Sequence, residues 1–219
     1  MSSPDLWESV EWSVEARPDG SLLDIETGLD LSYLYWEVPL SHPIDRTNAP
    51  SREFVESTGI FQPARPVLDT TDPSAIALPA DKVAMYLDKA LRRLGLVSSV
   101  TIPTHASSDA VQQVEARNSF ITYWLPSILK HKYVALRFLP QTVYEPACPL
   151  DITPEPDVMT RVFMLFRGID SLDPWEEANK RAMDGIIDWR AVVGVADEAR
   201  QNDTQLFRVL EWGGMEIKQ

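Results

Sequence analysis

One cysteine, Cys148, stands in 219 residues. A single thiol excludes an intrachain disulfide, and with it the stapled scaffold of a small secreted domain. It sits in Pro146-Ala147-Cys148-Pro149, with no base near it in sequence, and reads as a structural thiol rather than a nucleophile. Histidine is nearly as rare: His42, His105 and His131 are isolated, and none has a ligand-spaced His or Cys. No metal and no cofactor are expected. Glycines number nine, and no run of them makes a phosphate-cradling loop. Gly213-Gly214 is followed by no helical pattern, which excludes a dinucleotide fingerprint. Positive charge is short as well. Twenty Lys and Arg against 33 Asp and Glu give a net charge of −13. Phosphate binding needs a basic face, so nucleic acid is not an expected partner, whereas a cationic ligand is permitted. The same balance disfavours anionic membranes. No apolar run approaches the roughly 18 residues of a spanning helix. Met1-Ser2-Ser3-Pro4-Asp5 lacks a basic and an apolar leader region, so a cytoplasmic protein is expected.

What the chain has is proline, 17 of them, and clustered aromatics. Residues 8–39 read as a β-meander, with turns at Pro18-Asp19-Gly20 and Glu26-Thr27-Gly28. Strands are expected at Val10–Arg17, from Ser21 to Asp24, and at Leu31–Pro39. Residues 39–80 carry seven prolines from Pro39 to Pro79 and read as a long packed loop. Phe54, Val55, Ile60 and Phe61 would anchor it, with room for a short strand at Glu53–Glu56. Apolar spacing predicts helices over 80–95, 108–130 and 174–191. In the second, Val111, Val114, Asn118, Ile121 and Leu125 share a face; in the third, Trp175, Ala182, Ile186 and Trp189 do. Strands are predicted over 133–140, 160–168 and 205–213, the last ended or bulged at Gly213-Gly214. Strands and helices are segregated. The expected fold is therefore a single α+β domain over 1–219, a mostly antiparallel sheet with helices packed on one side.

Two carboxylates draw attention. Strand alternation would put Tyr33, Tyr35 and Glu37 on one face, and Phe207, Val209 and Glu211 on another. If Glu37 and Glu211 shared one concave face, they would form a general acid/base pair or a cation clamp. The plainer reading pairs each with an arginine, since Arg137, Arg161, Arg167 and Arg208 all lie in predicted strands, where unpaired charge is costly. Glu115, beside Arg117, is a similar case. The candidate ligand-binding set is Tyr33, Tyr35, Glu37, Arg137 and Glu211, with Glu37 and Glu211 as catalytic candidates. Trp36, Trp124 and Trp212 read as core; Tyr33 and Tyr35 divide evenly between core and a binding surface.

Four stretches occur together: Tyr33-Leu34-Tyr35-Trp36-Glu37; Phe120-Ile121-Thr122-Tyr123-Trp124-Leu125-Pro126; Pro156-Asp157-Val158-Met159-Thr160-Arg161-Val162-Phe163-Met164; and Glu211-Trp212-Gly213-Gly214. In order and spacing they resemble an uncharacterised protein family of bacterial secreted or cell-surface proteins and fungal proteins. The chain departs from it in lacking an export signal and in extra residues near 96–108 and 170–200. The resemblance implies no activity, cofactor or catalytic residue. The leading expectation is a non-catalytic binding or interaction protein with an aromatic-acidic face, taking a small molecule or a protein partner. The alternatives are a small-molecule hydrolase or isomerase using Glu37 and Glu211, and a structural subunit of an assembly. Oligomeric state is left open.

Overall fold

The computed structural model describes residues 10–17, 21–37, 60–96 and 109–218, of which 109–115 as backbone alone. The turn at Pro18-Asp19-Gly20, Val38 and Pro39, the Glu53–Glu56 strand, His42, His105 and the Glu115 side chain lie outside the described residues.

The meander is present as an antiparallel sheet of β1 (Val14–Ala16), β2 (Leu22–Asp24) and β3 (Asp30–Leu31), in that order. Its third strand is shorter than the sequence suggests. Leu31 already pairs with Leu22, where β2 begins, so the chain beyond it has no strand left to pair with. Residues 33–37 still alternate: Tyr33, Tyr35 and Glu37 are exposed, while Leu34 and Trp36 are half-buried.

A second, four-stranded sheet carries the body of the protein. Its order is β4 (Ile76–Pro79), β5 (Tyr133–Phe138), β6 (Val158–Ile169) and β7 (Arg208–Glu216). The first two pairings are antiparallel and β6–β7 is parallel, so the fold is α+β with mostly antiparallel pairing. β4 falls inside the stretch that reads as loop from sequence. Its hydrophobic run is only four residues, and Pro79 closes it at the edge of the sheet, where a missing donor is tolerated. β7 runs straight through Gly213-Gly214 instead of ending there. A Cβ at Gly214 would lie 2.9 Å from the Met164 carbonyl and 3.0 Å from the Trp124 ring, so glycine here admits an indole onto the sheet.

Helix α1 (Ala80–Arg93) follows β4 at once. Val83, Leu87, Ala90 and Leu91 recur at helical spacing and are buried, while Asp81 in the first turn and Arg92 and Arg93 in the last suit the helix dipole. Gly95, at φ +95°, closes it, and the Leu96 amide reaches back to Leu91. Helix α2 (Asp109–Ile128) continues over Pro126. Its buried positions are Arg117, Phe120 and Ile128, with Trp124 packed against the core. Of the face expected from spacing, Ile121 packs against this core, Asn118 is exposed, Leu125 is half-buried, and the Val111 and Val114 side chains lie outside the described residues. Arg117 is the unexpected buried residue. Its guanidinium lies 2.9 Å from Asp88 and donates to the Leu96 carbonyl, which lets a charged residue take a core position.

After β5 come a short helix α3 (Gln141–Tyr144) and a single 3-10 turn, Glu145–Ala147. The crossover from β6 to β7 holds α4 (Glu176–Asp184), α5 (Trp189–Val193) and α6 (Glu198–Gln201). The third helix expected over 174–191 is thus two. Gly185 and Gly194, at φ +63° and +78°, cap α4 and α5, and the intervening Ile186 is exposed.

α1, α2 and α5 pack on one side of the sheet. Their core joins Ile76, Leu78, Val134, Leu136, Phe138, Val162, Met164 and Phe166 to Leu87, Phe120 and Trp189. The Trp189 indole meets Phe138 edge-on at 5.0 Å and donates to the Tyr86 hydroxyl. The other side has small residues, Ala75, Ala77 and Ala135, against which Trp175 and Ala178 pack. There α4 also covers the edge of β4: Asn179 donates to the Ala77 carbonyl and Arg181 to that of Ala75, which protects the open edge.

Candidate functional site

Helix α2 sets its aromatic residues on β6 and β7. Phe120 contacts Trp212 at 5.5 Å, and Trp124 contacts Phe166 at 5.7 Å. Tyr123, one position round the helix, lies at the rim. Its ring is held edge-on by Trp124 at 4.8 Å and by Trp212 at 6.3 Å, and its hydroxyl points outward. There it meets residues 33–37 of the meander. The Tyr123 hydroxyl donates to Glu37 Oε1 over 2.9 Å, and the Tyr35 hydroxyl donates to the same oxygen. The two phenol oxygens are 3.2 Å apart and the rings 6.5 Å, tilted by 55°. Tyr33, Tyr35 and Tyr123 are 62%, 56% and 45% exposed.

The electrostatics follow from these bonds. The Tyr35 hydroxyl, and then that of Tyr123, hold the Glu37 carboxyl below its ordinary value, so it is ionised at neutral pH. The bond to Glu37, with a smaller contribution from Tyr123, pushes the Tyr35 phenol up. The cluster is a carboxylate held between two phenols. Both phenols use Oε1, and Oε2 accepts no bond among the described residues.

Glu211 lies elsewhere. Trp212 turns its ring toward α2, so Glu211, its neighbour in β7, faces the opposite side of the sheet. On that side it pairs with Arg161, which is 3% exposed and sits directly across in the β6–β7 register. The Tyr144 hydroxyl donates to the second carboxylate oxygen at 3.2 Å. Arg161 also donates to the Cys148 carbonyl at 2.7 Å and stacks over the Tyr144 ring at 4.6 Å. Burial alone would lower the Arg161 pKa, but the Glu211 carboxylate outweighs it and the net direction is up. Burial pushes the Cys148 thiol up, which disfavours the thiolate form. This is a buried ion pair that locks the α3 turn onto the sheet.

The five expected ligand residues therefore fall in three places. Tyr35 and Glu37 bond Tyr123, and Tyr33 is exposed two residues before Tyr35, without a contact to the cluster among the described residues. Arg137 forms an ion pair with Asp72, on the same side of the sheet as Arg161. Glu211 belongs to Arg161. The sheet separates Glu37 from Glu211, so the paired-carboxylate arrangement is not formed. Sequence reading missed Tyr123 as a site residue. The signal was present in Tyr123-Trp124, but the partner is 86 positions away in the chain.

His131 faces Glu216 at 2.9 Å, and its ring fills the space over Gly168. Among the described residues no three His, Cys, Asp or Glu side chains come together as a metal site, and no helix is long and apolar enough to cross a membrane. No protein-family model matches the chain, and no curated protein or solved structure is significantly similar to it.

Proposed function

We propose that the chain is a binding protein, and that the Tyr35–Glu37–Tyr123 cluster takes a cationic group of a small molecule or a protein partner. One observation carries the reading. Two phenols donate to one oxygen of Glu37, and the other accepts no bond among the described residues, in a rim of exposed tyrosine rings. A carboxylate beside aromatic faces is the chemistry that attracts an ammonium or guanidinium. The net charge of −13 adds long-range attraction for such a ligand. Two-carboxylate catalysis has no comparable support, because Glu37 and Glu211 stand on opposite sides of the sheet. Kinship with the uncharacterised family of the four aromatic stretches, and a cytoplasmic location, belong to the same proposal; neither assigns a residue a role.

The test is a titration with tetramethylammonium and with lysine methyl ester, followed by the backbone amide shifts of residues 33–37. Saturable shifts that disappear in Tyr35→Ala, with melting unchanged, are expected. Identical titrations in the parent and in Tyr35→Ala would sink the reading.

A further inference from the structure

The side of the sheet away from α2 carries a half-buried arginine with no partner among the described residues. Arg167 lies in β6 opposite Ala135. Its Nε is buried and makes no hydrogen bond, and no ion pair or hydrogen bond reaches its guanidinium among the described residues. A buried donor without an acceptor is costly, and native proteins seldom leave one. Arg137 stands diagonally across the β5–β6 register, on the same side, and its Nε is buried and unbonded as well. Diagonal positions are about 7–8 Å apart, within reach of one small ligand for two long side chains. Asp72 answers Arg137 through Nη1. A third guanidinium, Arg181, donates to the backbone carbonyl of Asp72 at 3.1 Å. Arg137 and Arg181 thus both hold Asp72, one at its carboxylate and one at its backbone carbonyl, and Arg167 stands diagonally from Arg137 without such a partner among the described residues.

The setting is walled by apolar residues. Leu68, Ala135, Ile169 and Trp175 form one buried cluster on this side, and Phe61, Tyr144 and Leu165 form another. Ile217 packs against both, so Arg167, between Leu165 and Ile169 in β6, sits at the seam where they meet. Water is partly excluded there and an ion pair gains strength. The planar guanidinium fork matches a flat or tetrahedral oxyanion with two parallel bonds.

We infer that Arg167, with Arg137 beside it, is a receptor for the oxyanion of a ligand, a carboxylate or a phosphate, on the side of the sheet opposite the Tyr35–Glu37–Tyr123 cluster. Nothing in this site depends on the cation-binding cluster, and each can be tested without the other.

The test uses the full chain labelled with nitrogen-15. The Arg167 Nε–H signal is assigned by its loss in Arg167→Met. Sodium phosphate and sodium acetate are titrated separately, with sodium chloride holding ionic strength constant. A saturable shift of the Arg167 Nε–H and of the Ala135 and Leu165 amides is expected. Arg167→Lys keeps charge and stem but not the fork, and should weaken binding about tenfold, the loss of one charge-assisted hydrogen bond. Arg190→Met, remote in sequence and on α5, should leave the titration unchanged. Saturation by phosphate alone assigns a phosphate-bearing ligand; saturation by acetate assigns a carboxylate. A response that follows ionic strength only, or that is equal in the parent and in Arg167→Lys, overturns the inference.

Discussion

Tyr123 donates to Glu37 over 2.9 Å, and this bond ties the end of the small meander to the helix over the large sheet. The Tyr33–Glu37 and Phe120–Pro126 stretches therefore meet in space, one supplying the carboxylate and a phenol and the other a second phenol. Trp124 packs on the core beside Trp212 of β7, Trp36 is half-buried, and the tyrosines stay at the rim.

Removing the bond should separate local from global effects. Tyr123→Phe keeps the ring against Trp124 and Trp212 but deletes the donor. The melting temperature should hardly change, because the site is exposed. Hydrogen exchange at residues 33–37 should quicken, and cation affinity should fall. A large drop in melting temperature would mean that the phenol is part of the core.

Glu211→Gln should be far more damaging. It leaves the Arg161 guanidinium buried beside a neutral amide. A loss of about 3 kcal/mol is expected from urea unfolding, the usual cost of stranding a buried charge. The double change Arg161→Met with Glu211→Leu should recover much of that. An unaltered midpoint in Glu211→Gln would remove the structural role given to this pair.

Gly214→Ala tests the close approach of Trp124. The new methyl meets a backbone carbonyl and an indole at about 3 Å, and neither is a free side-chain end. A cost of roughly 1–3 kcal/mol is expected, as for other overpacked sites. Gly185→Ala meets no such atoms but sits at φ +63°, so its smaller cost should come from backbone strain.

The ionisable groups give a pH signature at both ends. The folded-state pKa of Glu37 is depressed, so the stability it adds is complete above the ordinary glutamate value near 4.3 and is lost as pH falls through the lower folded value. Amide shifts of residue 37 should titrate below that of a free glutamate, and return to it in Tyr35→Phe with Tyr123→Phe. The tyrosines act in the opposite sense. Burial pushes Tyr86 up to about 12. Burial, and then the Glu211 charge, push Tyr144 up. Their neutral forms stabilise the fold fully below the ordinary phenol value near 10, and that stability is lost as pH rises through the folded values. Absorbance titration should show these two, with Tyr35, ionising after the ordinary phenols.

Much of the fold could be read from local pattern. The spacing of Val83, Leu87 and Leu91 fixes α1, and the apolar run through Phe166 fixes β6, because each element buries a regular face. β4 was hidden because four residues ending in Pro79 give no alternation to detect. The split at Gly185 was hidden because Ala182 and Trp189 still fall at helical spacing, although they belong to two helices. At the site, alternation put Tyr33, Tyr35 and Glu37 on one face but left open whether that face was core or surface; the structure exposes it, even without a strand. What sequence spacing does not carry is which side of a distant strand faces which helix. The parallel β6–β7 register decided that Glu211 meets Arg161 and turns away from Glu37.

The most direct measurement is a tetramethylammonium titration of the parent protein and of Glu37→Gln, followed by tyrosine ring signals at neutral pH. Saturable shifts of the Tyr35 and Tyr123 rings in the parent, lost or weakened at least about tenfold in a Glu37→Gln protein of unchanged melting temperature, are expected. Equal saturation in both proteins, or none in either, would contradict a cation-binding role for this carboxylate.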